Sequence, residues 1–120
     1  MNNTEIQKVN SNKSSAPQIK IMDFGEILSS LSKSQREKLI ADYDMTKLKK
    51  VFGDSGMMHT IEVFLASGMN ISRTARILYM HRNTLIYKLN SIRKLTGLDL
   101  RDFNMAATFK MLYTLSALNN

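Results

Sequence analysis

The chain has 120 residues, one proline and no cysteine, and its 17 Lys and Arg outweigh 10 Asp and Glu to give a formal charge of +7. With 43% hydrophobic residues it can build one compact core but not two, and the lack of cysteine excludes a disulfide framework and any thiolate metal site. No apolar run suits a transmembrane helix and no secretory leader pattern opens the chain, so a cytoplasmic protein is expected, and the positive charge points to a polyanionic partner.

Residues 1–20, rich in Asn, Ser, Lys and Gln, read as a disordered polar arm in which Lys8, Lys13 and Lys20 supply weak, sequence-independent attraction to phosphates at most. From Ile21 the pattern becomes helical, with Phe24, Ile27, Leu28 and Leu31 on one face. Ser32 and Gln35 form a capping-box pattern that opens a second helix, expected to bury Leu39, Ile40 and Tyr43. A short connection containing Met45, Leu48, Val51 and Phe52 stops at Gly53. Residues 56–67 read as a supporting helix with Ile61, Phe64 and Leu65 turned inward, ending at Gly68.

Two helical patterns around a very short joint then fill residues 70–97 and predict a helix-turn-helix. Asn70 caps the first helix, whose apolar positions are Ile71, Ala75 and Leu78; Ala75 is small where steeply crossing helices approach, and Met80 plugs the joint. The second helix runs from Arg82 to Thr96 on a buried stripe of Leu85, Leu89, Ile92 and Leu95. Arg82, Asn83 and Thr84 fall in its first turn, where a recognition helix reaches base edges: Arg offers a fork to guanine and Asn to adenine. Tyr87, Lys88 and Ser91 continue that strip, while Ser72, Arg73 and Arg76 on the first helix are placed for phosphates. His81 is either a phosphate or base donor or simply the residue that starts the helix. Gly97 suits a left-handed helix end with Leu98 making the accompanying apolar contact, and Asp102 caps a last helix through residue 118 with Phe109, Leu112, Leu115 and Leu118 inward. No strand pair or internal repeat is visible, so residues 21–120 are expected to form one all-α domain, with supporting helices on both sides of the helix-turn-helix.

Between Asn70 and Arg101 the positive residues are Arg73, Arg76, Arg82, Lys88, Arg93, Lys94 and Arg101, against Asp99 alone, so the charge coincides with the motif. At these same residues the chain resembles a known family. Thr74 to Arg76 (TAR), His81 to Leu85 (HRNTL), Tyr87 to Leu89 (YKL) and Leu95 to Leu100 (LTGLDL) are similar to the C-terminal helix-turn-helix of PucR/CdaR-type regulators. A weaker similarity starts near Glu26, in the string ILSSLSKSQREKLI. The resemblance implies a Fis-like DNA-binding domain of a bacterial transcription regulator, found in the cytoplasm and on the nucleoid when bound. Members of that family commonly carry a sensory region ahead of the domain. Only a short polar segment precedes it here, so a stand-alone DNA-binding protein and a fragment are both expected alternatives. Ile86 stands where the family often has a polar residue, and is expected either to touch a thymine methyl or to pack.

Other chemistry finds little support. His59 and His81 are the only histidines and have no clustered carboxylates for a metal, and no activated nucleophile signature surrounds Ser55, Ser72 or Thr84. No cofactor, metal or enzymatic activity is therefore expected. The nine methionines read as core gap-fillers. The expected partner is double-stranded DNA, bound by a homodimer joined through the last helix or the 24–31 helix, although both helices could equally close the monomer core. Two further readings stay open: an adaptor or antagonist that pairs with a longer regulator of the same family, and an architectural DNA binder with little sequence preference.

Overall fold

Helix boundaries in this protein are set by side chains that stand in for missing backbone partners. The computed structural model describes residues 18–21 and 23–119, and these contain seven helices: α1 (Phe24–Ser29), α2 (Lys33–Ile40), α3 (Met45–Phe52), α4 (Ser55–Ala66), α5 (Ile71–Ile77), α6 (Arg82–Thr96) and α7 (Phe103–Leu118). The carboxylates of Asp23, Asp44, Asp54 and Asp102 accept N–H bonds from Glu26, Thr46, Met57 and Met105 at 2.8, 3.0, 3.0 and 3.0 Å. Each satisfies an otherwise orphaned first-turn donor. The Ser32–Gln35 capping box forms in both directions, at 3.1 and 2.8 Å. Most of the polar arm expected over residues 1–20, including Lys8 and Lys13, lies outside the described residues.

The core is one cluster to which every helix except α2 contributes a buried side chain: Leu28 from α1, Leu48 and Val51 from α3, Ile61 and Phe64 from α4, Ala75 from α5, Leu85, Leu89 and Ile92 from α6, and Phe109, Leu112 and Leu115 from α7. α1 lies against α7, α3 lies against α4 and α6, and α5 is held between α4 and α6. Phe52 meets Phe109 and Tyr113 edge-on, with ring centroids 5.4 and 5.2 Å apart. The fold is all-α, as the periodicity predicts, with no strand among the described residues.

Several local expectations are corrected. α2 has no fully buried residue: Leu39 is exposed and Ile40 half-buried on a helix that packs mainly against α7, and Tyr43, in the turn beyond it, is exposed. The connection before Gly53 is itself a helix, α3, whose Leu48 and Val51 are core residues. Ile27 and Leu118 are exposed, and Leu65 and Leu95 half-buried, where helix ends or edges run past their neighbours.

The joint between α5 and α6 shows why a four-residue link can be rigid. The N–H of Tyr79 donates to Arg76 O at 3.2 Å and that of Met80 to Ala75 O at 2.9 Å. This is a Schellman end, and half-buried Met80 supplies its apolar contact to the core. The same arrangement ends α4, where Gly68 has φ 74 and the Met69 N–H donates to Phe64 O at 2.9 Å. In the α5 end the left-handed position is Tyr79, with φ 53 and a side chain 97% exposed. A bulky residue is strained there and its ring gains no burial in return. Tyr79→Gly is expected to raise stability by about 0.5–1 kcal/mol, read as a higher urea midpoint; an unchanged or lower midpoint contradicts this account.

Candidate nucleic-acid interface

Asn70 and His81 place the two helices of the motif. The Asn70 side chain accepts the Arg73 N–H at 2.8 Å and starts α5. His81 starts α6 by an unusual route, its ring Nδ1 accepting the Asn83 N–H at 3.0 Å. That contact requires the tautomer with the proton on Nε2. The first turn of α6 therefore begins on an imidazole, and the helix-start role considered for His81 is the one its geometry fills.

The buried stripe of Leu85, Leu89 and Ile92 seats α6 on the core, so its opposite side faces outward. Arg82, Asn83 and Thr84 are all exposed in the first turn, and Tyr87 is exposed one turn on. Lys88 is half-buried, since one residue beyond Tyr87 the helix has turned by about 100° toward the buried stripe. Ser91 is also half-buried and donates its hydroxyl to Tyr87 O at 2.9 Å, which leaves it only as an acceptor for a partner. Ile86 is half-buried, in keeping with the packing alternative.

On α5, Ser72, Arg73 and Arg76 are exposed. One contact joins the two helices of the predicted site directly: Arg82 Nη1 donates to Ser72 Oγ at 2.8 Å. Below the surface, the hydroxyls of Ser67 and Thr74 lie 2.7 Å apart, with Val63 O and Asn70 O each 2.7 Å from one of them. These two residues peg the end of α4 to α5, and Thr74 has no solvent exposure. A polar residue buried between two helix ends has no periodic signature, so sequence reasoning passes over this pair.

The basic patch is smaller than its composition suggests. Arg101 is held in a clasp, donating from Nε to Asp99 at 2.8 Å and from Nη2 to Asn90 at 2.7 Å. It thereby ties the loop after α6 back to α6 itself. Exposed Arg73, Arg76, Arg82, Arg93 and Lys94, with half-buried Lys88, carry the patch. Hydrogen bonds from the Arg101 side chain and then its backbone N–H hold the Asp99 carboxyl below the ordinary carboxylate range. A depressed carboxyl stabilises the fold above its unfolded value and loses that contribution as pH falls through the folded value. Asp99→Asn is expected to cost about 0.5–1.5 kcal/mol at neutral pH, with solvent screening keeping it modest. The gap from the parent protein should close on acidification below about pH 4, and urea titrations at pH 7 and pH 3 with the same gap at both would contradict this.

Tyr79 and Ile77, both exposed beside the joint, were not singled out by sequence reasoning. Tyr79 gives no periodic signal because it lies in the non-helical joint, and Ile77 ends α5 on its exposed side.

Residues 57–114 match the family described as the PucR C-terminal helix-turn-helix domain. The chain is similar to the purine catabolism regulatory protein of Bacillus subtilis, with 35% identity over 80 residues, covering 67% of this chain and 15% of that protein. It is likewise similar to the carbohydrate diacid regulator of Escherichia coli, with 35% identity over 60 residues, 50% of this chain and 16% of that one. The chain thus spans only a small part of the length of these relatives. The fold resembles the crystal structure of a regulator of polyketide synthase expression from Bifidobacterium adolescentis, with a TM-score of 0.57 and 21% identity over 98% of this chain and 47% of the other.

Proposed function

Because residues 57–114 form a PucR C-terminal helix-turn-helix domain, we propose that this protein is a DNA-binding regulator of transcription whose α6 reads the major groove. The observation that carries the reading is the first turn of α6, where Arg82, Asn83 and Thr84 project from a helix fixed on its opposite side by fully buried Leu85 and Leu89. Base readout falls to Arg82, Asn83 and Tyr87. Phosphate contacts fall to Ser72, Arg73, Arg76, Thr84 and Lys88, with His81 and Ser91 at the margins of the strip.

The protein acts as a homodimer in the bacterial cytoplasm, placing two copies of α6 in successive major grooves about 34 Å apart. No described helix is long and apolar enough to cross a membrane. Its role is regulatory, not enzymatic.

Selection from a randomised duplex library at physiological salt tests this, with an Arg82→Ala, Asn83→Ala double variant run alongside. A palindromic motif enriched by the parent and lost in the variant is the expected result. Unselective binding by both would favour an architectural role, and no binding by either would favour an adaptor that pairs with a longer regulator.

A further inference from the structure

Ser72 stands on α5 and Arg82 opens α6, ten residues later, yet the Arg82 guanidinium donates to the Ser72 hydroxyl oxygen at 2.8 Å. We propose that Ser72 is a positioning residue for base readout, holding the Arg82 fork in the orientation that meets a base edge. This rests on the reading of α6 as a recognition helix.

The chemistry of the two groups fits the role. A guanidinium has five N–H donors, and the Ser72 contact uses one at Nη1. Nη2 and the rest of the fork remain for a bidentate contact. Ser72 accepts in this bond, so its own hydroxyl proton is left to donate to a phosphate oxygen. One hydroxyl thereby links the contact that sets the register of the protein on the duplex to the contact that reads sequence.

Both side chains are exposed in the free protein, where water competes with the bond and it adds little to folding. The same bond strengthens when the interface closes and water leaves. An arginine already restrained near its bound orientation also loses less rotamer freedom on binding than a free one. The effect of Ser72 therefore shows in discrimination between DNA sequences and not in stability.

A double-mutant cycle on the full chain reads this out. Binding of the selected duplex, and of duplexes altered at the position Arg82 reads, is measured for the parent, Ser72→Ala, Arg82→Ala and the double variant. Ser72→Ala should lower discrimination at that position by about 3- to 10-fold, leave the urea midpoint unchanged, and have no further effect on discrimination once Arg82 is alanine. Ser72→Thr, which keeps the oxygen, should restore discrimination. If the parent prefers one duplex but Ser72→Ala leaves its preference intact, or lowers it equally with and without Arg82, the positioning role is overturned while the DNA-binding reading stands. A parent protein that shows no preference among duplexes overturns that reading, and this inference with it.

Discussion

Replacing Phe109 with alanine is expected to lower the free energy of unfolding by about 3–5 kcal/mol. Phe109 is 1% exposed on α7 and lies edge-on to Phe52 of α3, so its ring joins two helices that are distant in sequence. Truncation removes the transfer free energy of a whole aromatic side chain. It also leaves a void that neighbours anchored on other helices fill only in part. A domain of this size is stable by about 5–15 kcal/mol in total, so the variant would lose a large share of its folded population at moderate temperature. Urea unfolding measures this directly, and a loss below about 1.5 kcal/mol would show that the core closes over the gap far better than its packing implies.

Arg82→Ala and Lys88→Ala are expected to damage DNA binding in different ways. The Arg82 variant loses about 1–3 kcal/mol, roughly 5- to 150-fold, on the preferred duplex and relaxes preference at one base position. The Lys88 variant weakens binding to all duplexes by a similar factor and lowers the magnitude of the log–log salt slope by about 0.9, the share of one phosphate. Half-burial of Lys88 does not prevent this, because a lysine stem can lie along apolar surface while the ammonium reaches out. Titrations of matched and mismatched duplexes over a range of salt separate the two patterns. Identical losses on every duplex from both changes would refute the division of roles.

Much of the motif was legible in the sequence, and the reasons are local. α6 spans Arg82–Thr96 as its stripe predicts, Asn70 and Asp102 cap the helices assigned to them, and Gly97 adopts the left-handed φ of 82 expected of it. Caps and stripes depend on residues a few positions apart, which is what a sequence displays. Long-range choices were less visible. Leu39 and Tyr43 have the composition of a buried face, but whether a face is covered depends on where another helix lies. Likewise, Arg101 counted as a free positive charge until the fold brought Asn90 within 2.7 Å of it. The outward-facing residues of α5 and α6 were legible as a surface, and the bond between Ser72 and Arg82 was not, because it depends on the angle between the two helices.

The absence of buried residues in α2 has a dynamic consequence. Opening this helix uncovers little apolar surface beyond half-buried Ile40, which packs against the core. It costs that contact, the packing against α7, the capping box and the two bonds made by Arg36, to Leu31 O at 2.7 Å and to Asn119 at 3.3 Å. The amides of Lys33–Ile40 should therefore exchange with solvent through a local excursion that leaves the other helices folded, while those of α6 wait for the whole domain to open. The described helices are thus expected to open as two cooperative units of unequal depth, with α6 in the deeper one.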